Sequence, residues 1–256
     1  MLFTIKNVSR YKAASIHLAV SATVATLVLS VMLTLWYPGP FFSAMGGSLL
    51  LALIAGVDIA LGPLITLIIF DTRKKGLVFD LAIVVALQLA ALFYGVHTMY
   101  LARPVFTVFN GQQFVVVIAA EIEQKELAKS RFKEFRQLSL TGPILIATEP
   151  PTDKAGISDV VLAKIFGLGI QNMPKYYVPY ADKRDLILKA SHPLAELRVQ
   201  SADKETLKKY IGRSGYKKEE LHYLPVITKN RVLTAIINRN GDFLDMLDIT
   251  PEEASN

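Results

Sequence analysis

Residues Ala44–Phe70, AMGGSLLLALIAGVDIALGPLITLIIF, form a long and almost wholly apolar run. It exceeds the roughly 20 residues that a helix needs to cross about 30 Å of hydrocarbon. Asp58 is its one charged residue. Two further apolar runs, Ala13–Trp36 and Leu77–Tyr100, lie on either side of it. The sequence therefore predicts three transmembrane α-helices.

Charge divides the chain into an apolar half and a polar half. Residues 1–100 contain six Lys or Arg and three Asp or Glu, whereas residues 101–256 contain the other 22 and 19. The polar half is only mildly basic, so the formal charge of +6 does not indicate a nucleic-acid surface. The absence of cysteine excludes disulfides, thiol nucleophiles and thiolate metal sites.

Positive charge predicts the orientation of the helices. Lys6, Arg10 and Lys12 precede the first run and residues 73–75 precede the third, whereas the turn 37–43 is uncharged. Basic flanks remain in the cytoplasm. We therefore expect a multi-pass protein of the bacterial inner membrane, with a cytoplasmic N-terminal tail (1–12), a three-helix transmembrane domain (13–100) and a periplasmic C-terminal domain (101–256). The first run is longer than the apolar part of a signal peptide, which favours a retained anchor.

Small residues recur along the second run. Ser48, Ala52, Gly56 and Ala60 are spaced four apart and so share one helix face, which allows close backbone approach in lipid. This small-residue face either packs the second and third helices together or docks a helix of another protein, and the pattern leaves both open.

Asp58 lies near the middle of the second run, where a carboxylate facing lipid is costly. If the second and third helices fold back around Arg73, Gln88 lies at the same depth, because each is about 15 residues from Arg73. We therefore predict an Asp58–Gln88 hydrogen bond. It either fixes helix register or marks where Asp58 receives a charged group from a partner's membrane segment.

Residues 101–256 predict a mixed α+β domain with antiparallel strands. Two β-branched and aromatic runs flank Asn110-Gly111, which predicts a β-hairpin. A helix is expected over 121–137, with Ala128, Phe132 and Phe135 on its inner face. The remaining predicted elements are a strand at Gly142–Thr148, helices at Ser158–Phe166 (stopped by Gly167) and Asp203–Ile211 (stopped by Gly212), and strands at Tyr223–Thr228, Arg231–Asn238 and Asp242–Asp248.

No motif commits the chain to catalysis. His17 and His97 lie within apolar runs, while His192 and His222 have no neighbour at the spacing of zinc ligands. Gly167-Leu-Gly169 and Gly212-Arg-Ser-Gly215 lack the spacing of dinucleotide or nucleophile-elbow motifs and indicate turns. We expect no catalytic residues, metal, cofactor or small-molecule substrate.

Several segments resemble the TfpX/TfpZ family of type IV pilin accessory proteins. They are Tyr37-Pro-Gly-Pro-Phe-Phe, Gly46-Gly, Val57-Asp-Ile-Ala-Leu-Gly-Pro-Leu-Ile-Thr-Leu-Ile-Ile-Phe70, Lys74-Lys75, Asp80-Leu81, Gln88-Leu-Ala-Ala-Leu92, Tyr94-Gly95, Ala102-Arg-Pro-Val-Phe106 and Val108-Phe109. Tyr223-Leu-Pro and Asp248-Ile-Thr-Pro251 are similar to the family's final strands in weaker form. The resemblance covers nearly the whole chain and is weak over 150–215.

The resemblance implies a non-enzymatic helper that binds and stabilises one major pilin and promotes pilus assembly, twitching motility or DNA uptake. The implied partners are the pilin's transmembrane helix, its globular head and membrane lipid. The candidate residues for partner binding or packing in the membrane are Asp58, Gln88, Ser48, Ala52, Gly56, Ala60, Gly62 and Pro63. The alternative is a membrane-anchored periplasmic sensor or ligand-binding module. Few residues are predicted to be cytoplasmic, which argues against this alternative.

Overall fold

A computed structural model describes residues 8–252. Residues 1–7, which include Lys6 and much of the predicted cytoplasmic tail, lie outside the described residues, as do 253–256. The helices are α1 (Arg10–Val31), α2 (Phe41–Ala44), α3 (Gly47–Ala55), α4 (Gly62–Ile69), α5 (Leu77–Ala102), α6 (Gln124–Leu127), α7 (Lys154–Ile165), α8 (Arg184–Ala190) and α9 (Ser201–Ser214). The strands are β1 (Pro104–Phe109), β2 (Phe114–Ile118), β3 (Ile144–Thr148), β4 (Tyr177–Pro179), β5 (His192–Pro193), β6 (Leu221–Ile227), β7 (Val232–Asn238) and β8 (Phe243–Leu247).

The chain forms two compact units. The helical unit comprises the chain up to Thr34 together with Gly47–Tyr100, and the sheet unit comprises Leu35–Gly46 together with the chain from Leu101 onwards. The segment Leu35–Gly46 thus belongs to the sheet unit although it connects two parts of the helical unit. The sequence did not predict this assignment.

Two helices in the described part of the chain are long and apolar enough to cross a membrane. They are Arg10–Trp36, which is α1 with a π-helical continuation, and α5. The predicted second span is not a single helix of this kind, because it divides into α3, a π-helical segment at Gly56–Leu61 and α4. Pro63 explains the division, since a proline lacks the N–H that continues regular α-helical bonding. In the helical unit, α1 packs along α4 and the π-helical segment.

The sheet unit is built on one mixed sheet, with strand order β4-β3-β1-β2-β6-β7-β8 and β5 paired to β6. The pairs β1–β3 and β2–β6 are parallel and the other pairs are antiparallel. The predicted opening hairpin is confirmed, with Asn110 Oδ1 accepting from the backbone N–H of Gln112 and Gln113 at 3.2 Å. The three predicted C-terminal strands are also confirmed, so the mixed α+β class holds for this unit.

The predicted helix over 121–137 is wrong. The segment contains the end of a 3₁₀ turn at Ala119–Glu121, then α6 and a second 3₁₀ turn at Lys133–Phe135. Between them, the Ser130 hydroxyl accepts from the N–H of Phe132 at 3.4 Å, and this side-chain bond competes with helix continuation. Leu127 and Phe135 instead enter the core beside β1 and β4, so tertiary burial overrides the local helical pattern.

Two helix ends differ from the prediction because other residues supply the caps. Asp153, not Ser158, caps α7 by accepting from the N–H of Gly156 at 3.0 Å. Gly167 follows α7 with a φ of +74°, as predicted. Gly212 lies inside α9, and Gly215, also at +74°, ends that helix.

The segment Leu35–Gly46 is anchored within the sheet unit by apolar burial and by hydrogen bonds. Tyr37, Phe41 and Ala44 are buried. The hydroxyl of Thr228 donates to the carbonyl of Ala44 at 3.0 Å, and the hydroxyl of Ser43 donates to Oδ2 of Asp248 at 2.9 Å. These contacts join the segment to the residues that directly follow β6 and β8.

Candidate functional site

A cluster of polar side chains lies inside the helical unit, at positions that α1, the π-helical segment, α4 and α5 supply. The Nε2 of Gln88 lies 3.3 Å from the main-chain carbonyl oxygen of Asp58, and its Oε1 lies 2.8 Å from Nε2 of His17. The other ring nitrogen of His17, Nδ1, lies 2.6 Å from the hydroxyl of Thr66. Four polar residues from four elements therefore meet in a unit composed mainly of apolar residues.

The orientation of the Gln88 amide determines the direction of every hydrogen bond in this cluster. Because its nitrogen donates to Asp58, its oxygen accepts, so Nε2 of His17 carries a proton. In the neutral imidazole Nδ1 then accepts from the Thr66 hydroxyl. The result is a one-directional chain from Thr66 through His17 and Gln88 to Asp58.

The sequence around Pro63 explains why Gln88 bonds to the main chain of Asp58. In a π-helical turn the carbonyl of residue 58 accepts from the N–H of residue 63, and a proline has none. Gln88 supplies the missing donor. Gly62 supplies the space, because a Cβ atom there would lie 2.7 Å from Cδ of Gln88.

The carboxylate of Asp58 is left incompletely satisfied. The residue is only 7% exposed, and its Oδ1 atom has no hydrogen-bond partner among the described residues. The predicted pairing of Asp58 with Gln88 is thus correct in position, but the bond goes to the backbone carbonyl of Asp58. A buried acceptor without a donor is energetically costly, and such groups are uncommon in folded proteins.

Asp58 and its neighbours line an apolar groove of about 440 Å³. The polar lining residues are His17, Ser21, Asp58, Thr66 and Gln88. The apolar ones are Val8, Ala13, Ile16, Val20, Val24, Phe70, Leu81, Val85, Leu89 and Leu92, drawn mostly from α1 and α5. The groove combines a hydrocarbon-like wall with an unsatisfied hydrogen-bond acceptor.

The structure separates the candidate membrane residues into two sets. Asp58, Gly62 and Pro63 are buried, and Gln88 bonds to Asp58, so these four residues belong to one cluster. Ser48, Ala52, Gly56 and Ala60 are exposed, and a Cβ at Gly56 would meet no atom within 4 Å. The small-residue face is therefore not packed against another described helix, and its docking role stays a prediction.

His17 and Thr66 were missed as members of the site. Both lie at nearly the same chain distance from Phe41, so folding the first two apolar runs back around Phe41 brings them side by side, which is a signal that the sequence contains. The described residues contain no group of three or more His, Cys, Asp or Glu that could hold a metal ion.

The sheet unit contains a separate cavity of about 950 Å³. Its polar lining includes Gln113, His192, Glu196, Arg198 and Tyr223. It lies between the β5–β6 pair and the segment that follows β8, since Pro251 and Glu252 also line it.

Comparison with known proteins identifies the family. A family model described as Fimbrial assembly protein FimB matches residues 6–46. The fimbrial assembly protein of serogroup I from Dichelobacter nodosus is 30% identical over 241 residues, which are 93% of this chain and 90% of that protein. This chain belongs to the fimbrial assembly protein family.

Two further fimbrial assembly proteins of D. nodosus are similar to this chain. The serogroup E1 protein is 29% identical over 93% of this chain and 90% of its own length. The protein of serogroups C1 and C2 is 36% identical over 46% of this chain and 92% of its own length. No solved structure matches. The comparisons support the fimbrial assembly family and not specifically the TfpX/TfpZ group.

Proposed function

We propose that this protein is a non-enzymatic accessory protein of type IV pilus assembly that binds and stabilises its cognate major pilin in the inner membrane. The family membership supports a role in fimbrial assembly. The resemblance to pilin accessory proteins supports the choice of the major pilin as partner. Pilus assembly, twitching motility and DNA uptake would then depend on it through the supply of pilin.

The assignment of Leu35–Gly46 to the sheet unit supports a three-span topology. If the protein is in a membrane, this segment and the chain from Leu101 must lie on the same side, because they fold together. The intervening residues 47–100 then cross an even number of times. Since α5 is long enough to cross, α3, the π-helical segment and α4 must together form the returning span. The N-terminus lies opposite, and the basic residues 73–75 favour a cytoplasmic N-terminus.

Partner binding is supported by one observation: Asp58 lines the apolar groove and its Oδ1 lacks a hydrogen-bond partner among the described residues. A transmembrane helix fits the apolar wall, and a donor or positive charge on that helix would complete the hydrogen bonding of Asp58. We propose that the occupant is the pilin's N-terminal helix, with a polar or charged group near its N-terminus. The pairing would hold the pilin as a monomer until assembly. The exposed small-residue face and the sheet unit would contact the rest of the pilin.

Co-purification of the major pilin tests this proposal. The tagged full-length protein is crosslinked in cells and recovered from membranes as wild type, Asp58→Asn and Asp58→Leu, with recovered pilin measured against the bait. A hydrogen bond to a charged group contributes about 1.5–3 kcal/mol, so we expect Asp58→Leu to reduce recovery about tenfold or more. Asp58→Asn retains a hydrogen-bonding side chain and should lose less.

Asp80→Leu is the matched control, because Asp80 lies in α5 but pairs with Lys74 and is not among the groove residues. It should leave pilin recovery unchanged. Normal recovery with Asp58→Leu, at a normal level of bait in the membrane, would contradict the proposed role of Asp58. Absence of pilin from the wild-type sample would contradict pilin binding altogether.

A ligand-binding module is the second candidate, and the cavity of about 950 Å³ in the sheet unit favours it. This function predicts that a small molecule raises the melting temperature of the purified protein, whereas the accessory function predicts lower pilin levels in a deletion strain. The two measurements separate the candidates.

A further inference from the structure

Helix α7 has a surface that its own unit does not use. Gly156 is its only buried residue. The exposed apolar residues of the helix and of the turn after it are Ile157 (47%), Val161 (55%), Leu162 (55%), Ile165 (74%), Phe166 (74%) and Leu168 (41%). A helix rich in apolar residues is normally buried, and contiguous exposed apolar surface usually marks a binding surface.

The C-terminal end of α7 lies close to the point where the chain leaves the sheet unit. Leu168 and Met45 line the same cavity of about 230 Å³, and both belong to the sheet unit. The helical unit resumes at Gly47, two positions after Met45. In the proposed topology the chain re-enters the bilayer at that position, so the exposed end of α7 lies near the membrane surface.

The charges around this end suit an anionic surface. Lys164 is exposed in the last turn of α7, and Lys154 is exposed at the other end of the helix. Lys229 and Glu121 both line the cavity that Leu168 and Met45 share. Asp159 is the one acidic residue of α7, and Lys175 holds it in an ion pair of 2.6 Å. Lysine and large apolar residues such as Leu, Ile and Phe are both frequent in helices that lie in the membrane interface.

We propose that α7 lies on the bilayer and inserts Ile165, Phe166 and Leu168 at the boundary between lipid headgroups and acyl chains. The partner is thus an anionic lipid surface. Lipid is favoured over a protein as the occupant because the exposed end of α7 lies near the membrane surface in the proposed topology. The inference rests on the membrane location within the proposed function and does not depend on pilin binding.

Spin labelling of the full-length protein tests this inference, and the absence of cysteine from the chain makes single-site labelling straightforward. The labels are placed by Ile165→Cys and, as the matched control, by Lys208→Cys on exposed α9. Both proteins are reconstituted in nanodiscs of phosphatidylethanolamine and phosphatidylglycerol. Collision rates are measured with oxygen, which partitions into lipid, and with a water-soluble nickel chelate.

The expected ratio of oxygen to nickel collisions is at least about threefold higher at position 165 than at position 208, because an interfacial helix buries its apolar side in the acyl boundary. Equal ratios at the two positions would overturn the inference. So would a label at 165 that becomes shielded from both reagents only when pilin is added, because a protein would then cover α7. A chain that stays soluble without detergent would contradict the membrane location itself, which is a different failure from loss of pilin binding.

Discussion

His17 and Gln88 lie 71 positions apart in the chain and share a hydrogen bond of 2.8 Å between Nε2 and Oε1. This bond joins the first and the last helix of the helical unit. Gln88 also donates to the carbonyl of Asp58 in the segment between them, so one side chain connects all three apolar runs. The cluster therefore joins the helices of this unit around Asp58, which lines the groove.

Gln88→Leu should destabilise the helical unit. The change leaves the Nε2–H of His17 and the carbonyl of Asp58 without a partner in apolar surroundings. Hydrogen bonds between membrane helices contribute about 0.6 to 1.7 kcal/mol each, so we expect a loss of about 1–3 kcal/mol. Unfolding of the full chain by increasing SDS in mixed micelles measures this difference.

Leu87→Ala is the control for this change, because Leu87 is the neighbouring residue and is 68% exposed. The double variant His17→Leu with Gln88→Leu should lose less than the sum of the two single variants, since it removes both partners of one bond. Strict additivity would show that the 2.8 Å contact contributes no coupling energy.

Gly62→Ala should destabilise the protein, whereas Gly56→Ala should not. A Cβ at residue 62 would collide with the Gln88 amide and displace it from its hydrogen bonds, but a Cβ at residue 56 would meet open space. Alanine is favoured over glycine in a helix by about 1 kcal/mol, so Gly56→Ala should be neutral or stabilising. Thermal unfolding of the two variants in one and the same detergent compares their melting temperatures. Equal melting temperatures would contradict the described packing of Gln88.

The sequence predicted the parts of the fold that depend on local chemistry. Asn110-Gly111 marks a hairpin by itself, and the alternating β-branched residues of β7 mark a strand wherever it lies in the sheet. It did not predict the parallel pairs β1–β3 and β2–β6, because these join residues far apart in the chain. The helix expected at 121–137 failed for a similar reason, since burial of Phe135 against Tyr177 depends on a distant strand.

The candidate site was predicted in part. When two apolar runs fold back on a short turn, residues at equal distances from the turn lie side by side. This rule correctly brought Asp58 and Gln88 together. The π-helical segment that redirects the bond to the main chain depends on Pro63 and on tertiary packing, and no simple spacing rule predicts it. The anchoring of Leu35–Gly46 was missed because its contacts are to Thr228 and Asp248, far along the chain.

Ser43→Cys together with Asp248→Cys should give an intramolecular crosslink. Oγ of Ser43 lies 2.9 Å from Oδ2 of Asp248, and the chain has no other cysteine. In intact cells with a permeable outer membrane, a membrane-impermeant bifunctional maleimide should join the two positions, as seen by peptide mass spectrometry. Ser43→Cys with Lys208→Cys is the control pair. Labelling of only one position from outside would contradict the topology.

Glu121→Gln should gain stability relative to the wild type as pH rises. Burial raises the pKa of Glu121 above its ordinary value of 4.5, although the N–H of Ile118, nearby Lys229 and the amide of Asn172 favour the carboxylate. The native state therefore binds this proton more tightly than the unfolded chain does. The contribution of Glu121 is fully present below pH 4.5 and is lost as pH rises through the raised pKa. Denaturant unfolding at a series of pH values from about 4 upward measures the difference.

Glu149→Gln should change stability with pH in the opposite direction to Glu121→Gln. Hydrogen bonds from Arg131 and Lys183 lower the pKa of Glu149, so its contribution is present above its ordinary pKa and is lost as pH falls through the lowered one. This variant should therefore lose stability relative to the wild type as pH rises. The same slope for both variants would contradict the described environment of Glu121.

Site-specific photo-crosslinking in living cells tests whether a pilin helix binds in the groove. A photoreactive amino acid is placed at Leu89, which lines the groove, or at Leu87, which is similarly exposed on α5 but is not among the groove residues. We expect a covalent adduct with the major pilin from position 89 and little or none from position 87. An adduct equally strong at both positions, or no pilin adduct from position 89 in cells that express pilin normally, would contradict a pilin helix bound in the groove.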